Sequence, residues 1–142
     1  MSKHYTKLEN MYTKAPFNKF LKSSIKIDQG VCEIIMKIKN EMHNEIKTMH
    51  NAYYFMLLDN SAFFAINSLV EDVIISTKSF EIDFLKPIQS GDLIAKAKFV
   101  EKTMGNYIAS AKLFDQENNL IGKGRGIYRR SKQQLNQINN YQ

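Results

Sequence analysis

Asp59 is the one formal charge in the stretch from Ala52 to Ser68, where it stands among Tyr53, Tyr54, Phe55, Met56, Leu57, Leu58, Phe63, Phe64 and Ile66. Carboxylates are seldom buried without a partner. On a helix the positions one turn away, Phe55, Met56, Ala62 and Phe63, offer none. Three roles fit such an acid. It caps a helix that begins at Asn60, with AYYFMLL as a strand before it. It is a structural acid satisfied by another segment of the chain. Or it is a general base or nucleophile in a desolvated cleft, the setting that tunes a carboxylate for catalysis. The residue types around it leave all three open.

The elements that would position Asp59 follow from periodicity. If its stretch is helical, it is apolar nearly all round and should be enclosed on every side. A membrane span needs about twenty uninterrupted apolar residues, and Asp59-Asn60-Ser61 interrupts this one at its centre, so a buried helix is expected. Residues 3–22 read as an amphipathic helical cover, with Tyr5, Leu8, Met11, Tyr12 and Ala15 spaced by three or four, and Pro16 dividing them from Phe17, Phe20 and Leu21. Ile25 and Ile27 alternate with polar residues, Asp28-Gln29-Gly30 turns the chain, and Cys32, Ile34, Met36 and Ile38 share one face of a second strand. Beyond the central stretch, Phe80, Ile82 and Phe84 begin a meander punctuated at Ser90-Gly91-Asp92, Met104-Gly105-Asn106 and Asp115–Asn119.

Helix, hairpin, one apolar helix and then a run of strands has one economical packing: an antiparallel sheet curled round the helix. That is an α+β architecture, the hotdog fold. Its edge strand would be exposed in a single chain, so a dimer joining two sheets is expected. Residues 1–132 are expected to form one domain, and 133–142, QQLNQINNYQ, uncharged and with little to bury, a disordered tail.

Composition narrows the chemistry. With 142 residues, 44% of them hydrophobic, the chain can form a core. The single Cys32 excludes an internal disulfide, no Cys/His cluster has zinc-site spacing, and no cofactor is expected. Gly-x-Ser-x-Gly and Walker A patterns are absent, and Gly122-Lys-Gly-Arg-Gly126 misses the spacing of a dinucleotide fingerprint. The N-terminal MSKHYTKLENMYTK lacks the apolar core of a signal peptide, which gives a cytoplasmic protein as the expectation. A net charge of +6 calls for an anionic partner, yet the 20 Lys and Arg form no long block. A phosphate-bearing small molecule fits that distribution as well as nucleic acid does.

The segment MHNAYYFMLLDNSAFFAINS resembles that of hotdog-fold acyl-CoA thioesterases of the PaaI and 4-hydroxybenzoyl-CoA thioesterase group, in which His-Gly-Gly opens the central helix and an acid follows nine positions after the His. Here these are His50 and Asp59. The likeness extends from about Val31 to Arg130 and includes Pro87, Gly91-Asp92 and the glycine-bearing last strand. It implies hydrolysis of an acyl-CoA to the free acid and coenzyme A by a homodimer or dimer of dimers, without membrane or nucleic acid. It further implies that Asp59 activates water or attacks the thioester. Asn44, six positions before the His, and the N–H of Asn51 would bind the thioester carbonyl, and Thr77 would hold water. The acid of one chain would face the carbonyl-binding groups of another. His50-Asn51-Ala52 departs from His-Gly-Gly by placing two side chains where the backbone usually approaches substrate; a non-glycine N–H is still a donor.

Gly122, Gly124 and Gly126 lie at period two, which suits close packing against the central helix, and leave Lys123, Arg125 and Arg129 on the opposite face. That basic stripe is a candidate for the phosphates of coenzyme A, and a solvated strand face is the plain alternative. Tyr53 and Phe63, with Phe55 and Phe64, are candidates for an apolar acyl site. Other activities compatible with the fold are acyl-CoA sensing without turnover, acyl-carrier-protein hydrolysis and hydratase chemistry, although His4, His43 and His50 all precede Asp59 and none completes a hydratase Asp-His pair.

Overall fold

The structure, a computed structural model, describes residues 3–142. The cover is two helices, α1 (Lys3–Thr13) and α2 (Asn18–Leu21), followed by β1 (Ser24–Asp28), β2 (Val31–Lys37), α3 (Asn51–Asn67), β3 (Val73–Phe84), β4 (Asp92–Thr103), β5 (Asn106–Asp115) and β6 (Leu120–Gln134). One antiparallel sheet has the order β1-β2-β4-β5-β6-β3, with α3 lying against all six strands. The sheet wraps the helix, as the pattern of residues predicts. Among the described residues no helix is long and apolar enough to cross a membrane.

The helix is not enclosed on every side. Leu57, Leu58, Ala62, Ala65 and Ile66 are at most 1% exposed, but Phe55 is 43% exposed. Asn51 and Ala52 are exposed, and Met56, Asp59 and Phe63 are half-buried. Ala52, Phe55, Met56, Asp59 and Phe63 follow one another at helical spacing, so α3 keeps one stripe that its own chain does not cover.

Two features fix the helix against the strands. At its start, the His50 N–H donates to the Met42 carbonyl and the Met49 N–H to that of Ile88, both at 2.8 Å. At its end, the buried Asn67 side chain donates to the Val70 and Val73 carbonyls and accepts from the Ile75 N–H, which sets where β3 departs. On β3 the register shifts between Thr77 and Ser79, leaving Lys78 bulged against β6. The bulge changes the parity of the strand: Val73 and Ile75 are buried before it, and Phe80 and Ile82 are the half-buried positions after it. A reading by strict alternation therefore recognises only the second half of the strand.

The segment 133–142 also differs from its expected disorder. β6 continues to Gln134, Leu135 is 1% exposed in a short 3-10 turn, and Tyr141 packs on α1. Leu135 and Ile138 suffice to anchor this otherwise mostly exposed segment because the cover helix and the end of α3 already form a receiving surface; a composition average over ten residues does not register two anchors.

Candidate active site

α3 runs unbroken through Asp59, so the helix-cap reading fails: the cap is His50, whose Nδ1 accepts the Ala52 N–H at 2.9 Å. Asp59 finds its partners on two strands. Thr77 Oγ1 donates to Asp59 Oδ1 at 3.0 Å and Tyr128 Oη donates to the same oxygen at 2.9 Å. Thr77 and Tyr128 face each other across the β3–β6 pairing, so one register holds both donors. Oδ2 has no protein partner among the described residues, and it is not a buried orphan, since no buried side-chain oxygen lacks one. One oxygen is anchored and the other is free to act.

Burial raises the Asp59 carboxyl above its usual range, while the Tyr128 and Thr77 hydrogen bonds pull it partly back. The Tyr128 hydroxyl, buried beside that carboxylate, is held protonated well above the ordinary phenol range and stays a donor. This is a carboxylate kept basic and oriented, not one neutralised by an ion pair; the only ion pair among the described residues joins Arg130 and Asp72 at the surface.

Beside Asp59 lies a cleft of about 330 Å³ between α1, α3 and β3, lined by Met11, Phe63, Phe64, Thr77 and Ile138 among others. Phe63 meets Tyr128 edge-on at 6.3 Å and so joins the site. Tyr53 packs against the core elsewhere and does not line this cleft.

The α3 N-terminus offers a second group. His50 occupies the Ala52 N–H and the His50 carbonyl takes that of Tyr53, but the Asn51 N–H, at the first helical position, has no acceptor among the described residues. Asn44 is less free than expected. Its Oδ1 accepts the N–H groups of Ile46 and Thr48, and its Nδ2 donates to Thr48 Oγ1, so it shapes the loop before the helix. Asn51 and Asp59 are eight residues apart, about 12 Å along a helix axis. One carbonyl cannot touch both in a single chain.

The basic stripe is displaced from this chemistry. Tyr128 alternates in phase with Gly122, Gly124 and Gly126, and all four turn inward, so Lys123, Arg125 and Arg129 stand on the outer face of the sheet, away from their own Asp59. There Lys123 faces Lys112, which faces Lys96. This is a solvated basic face in one chain. The glycines differ too: the nearest neighbour of Gly122 is Tyr54 of the helix, whereas Gly124 lies closest to Phe80 and Gly126 to Tyr128 and Phe80.

Sequence reasoning missed Tyr128. A signal was present in the alternation: counting by two from the inward glycines of β6 arrives at a tyrosine whose hydroxyl must find a partner on the helix side.

Residues 46–121 match the family described as the thioesterase superfamily. A protein of Sulfurisphaera tokodaii with a provisional esterase name is 29% identical over 104 residues, 72% of this chain and 77% of its own length. The PaaI protein of E. coli, from the phenylacetic acid degradation operon, has a similar structure, with a TM-score of 0.84 at 23% identity over 93% of this chain and 96% of that one. A thioesterase of Haemophilus influenzae gives 0.75 at 16% identity over 84% and 85%. With over half its length inside the family's matched region and its sheet wrapped on one helix in the same way, the chain belongs to the thioesterase superfamily and has the hotdog fold.

Proposed function

We propose that the protein hydrolyses acyl-coenzyme A thioesters, with Asp59 of one chain acting on a carbonyl held at the start of α3 in a second chain. The observation that carries this reading is the Asp59 carboxylate itself: Oδ1 fixed by Tyr128 and Thr77, Oδ2 bare, and an apolar cleft alongside. Oδ2 takes a proton from water as the water oxygen bonds the thioester carbon. The negative charge moves to the carbonyl oxygen, where the unoccupied Asn51 N–H at the positive end of the helix stabilises it. The adduct then expels the coenzyme A thiolate, which recovers the proton from Asp59. Direct attack by Oδ2 would instead give a mixed anhydride that water opens.

A homodimer follows from the same reading. The separation of about 12 Å between Asn51 and Asp59 requires the two groups at one carbonyl to come from different chains. The uncovered stripe of α3 and the edge strand β3 are the surfaces that a second copy would cover.

The test is thiol release from straight-chain and aromatic acyl-CoAs, run beside acyl-carrier-protein thioesters and an oxygen ester. We expect release from acyl-CoA. Hydrolysis of the ester or the carrier-protein substrate alone would replace the coenzyme A assignment, and acyl-CoA binding without release would make the protein a sensor.

Tyr128→Phe supplies a pH test. The lost hydroxyl removes a hydrogen bond that favours ionised Asp59, so the carboxyl rises further. A base is inactive while protonated, so the acid limb of kcat/KM should move to higher pH. An unmoved limb, with Asp59 still required, would separate Tyr128 from the reacting group.

A further inference from the structure

A trough of about 1120 Å³, lined by β1, β2, β4 and β5, takes no part in the chemistry around Asp59. Lys96, Lys98, Ser110 and Lys112 line its β4–β5 side, on the outer face of the sheet. There Ser110 stands at the middle of a cationic group. It faces Lys98 on one neighbouring strand and Arg125 on the other; two residues along β5, Lys112 faces Lys96 and Lys123 in the same way. All five cations are exposed. None lies within ion-pair distance of a carboxylate among the described residues, and the Ser110 hydroxyl makes no hydrogen bond there. Lys96 alone has another contact, with the Phe114 ring at 5.8 Å. Like charges directly opposite one another on a sheet repel, so Lys112, set between two lysines, costs the free protein stability.

The group is bounded on every side. Glu33 faces Lys96 from β2, and Glu81 and Asp83 face Arg125 and Lys123 from β3. Along the strands the cations end at Ile94 and Phe114 in one direction and at Glu101, Ile108 and Ile127 in the other. Within that frame the patch spans roughly 10 Å across three strands and roughly 7 Å along them. An extended nucleic acid or an anionic membrane surface would overrun it onto the carboxylates. A compact anion of several charges fits inside.

We propose that this patch binds a compact polyphosphate, two or three linked phosphates, with Lys98, Lys112 and Arg125 around the phosphoryl oxygens and the Ser110 hydroxyl donating to one of them. The proposal goes beyond the hydrolase reading and does not rest on it. Asp59 and the open stripe of α3 lie on the helix side of the sheet, and the patch lies on the other, so the ligand is a molecule other than the thioester substrate. Its charge replaces the repulsion around Lys112 with attraction, and binding stabilises the fold.

The probe is inorganic triphosphate, titrated calorimetrically into the full chain at low ionic strength, where exposed charges are least screened. We expect one site per chain, with Lys98→Gln and Lys112→Gln each weakening binding about tenfold. Lys14→Gln combined with Lys19→Gln, which removes charge away from the sheet, should leave the affinity unchanged. Melting curves give an independent reading: Lys112→Gln should melt higher than the parent without ligand and gain less from triphosphate. Equal weakening by the distant pair overturns the proposal and leaves a diffuse positive field. So does a Lys112→Gln protein that gains as much from triphosphate as the parent. Tighter binding of a single-stranded oligonucleotide than of triphosphate, weakened by the same substitutions, would make the face a nucleic-acid surface instead. Displacement of triphosphate by coenzyme A, with a raised KM for acyl-CoA in both variants, would make it part of the substrate site and remove the separate ligand.

Discussion

Asp59→Asn is expected to lower acyl-CoA hydrolysis about a thousandfold, within the range ascribed to a positioned base, while melting no lower than the parent at neutral pH. The amide that replaces the carboxylate keeps an oxygen to accept from Tyr128 and Thr77 but has no charge to desolvate. The direction with pH follows from linkage. The folded-state Asp59 carboxyl is raised above its unfolded value, chiefly by burial. Its contribution to stability is therefore fully present below the ordinary carboxylate range near pH 4 and is lost as pH rises through the raised value. The variant has no such titration. Its melting advantage should open as pH climbs through that window and vanish on acidification, which a pair of thermal melts at acid and neutral pH will show. A lower melting temperature at neutral pH with activity retained would make Asp59 a structural acid, and the catalytic assignment would fall.

Lost activity with retained stability would mark a group kept for chemistry. The apolar run around Asp59, the alternation of β1, β2, β4 and β5, and the turns between them were legible because each rests on nearest-neighbour periodicity. So were the candidates Asp59 and Thr77, which the fold brings to 3.0 Å. Elements governed by a second partner were not legible. The register of β3 passes through a bulge at Lys78, the anchor for Asn44 lies in its own loop, and the open stripe of α3 emerges only where the wrapped sheet and the cover stop short of the helix. Lys123, Arg125 and Arg129 share one face because they lie at even spacing on one strand, but which side of the sheet faces the acid depends on where Tyr128 reaches, and that is a tertiary fact.

Gly126→Ala should cost about 1–3 kcal/mol of stability, the range for overpacking a filled interior, and should take activity with it. A Cβ at this position would lie 2.5 Å from Tyr128 Cε1, 2.5 Å from its hydroxyl oxygen and 2.6 Å from Phe80 Cδ2. Backbone conformation is not the obstacle, since Gly126 is not among the positive-φ positions; space is. Phe80 lies half-buried against exposed Phe55 and can yield, but the Tyr128 ring cannot swing without withdrawing its hydroxyl from Asp59 Oδ1. The lost donor then raises the Asp59 carboxyl, so the surviving activity should carry the same upward-moved acid limb as Tyr128→Phe. Gly124→Ala separates the two effects: the atoms its Cβ would meet first are Phe80 Cε1 at 2.3 Å and the Glu81 carbonyl at 2.7 Å rather than Tyr128, so it should destabilise comparably and leave the acid limb where it is. Identical pH profiles for the two alanine variants would mean that Tyr128 does not set the base. The period-two glycines of β6 would then serve sheet packing alone.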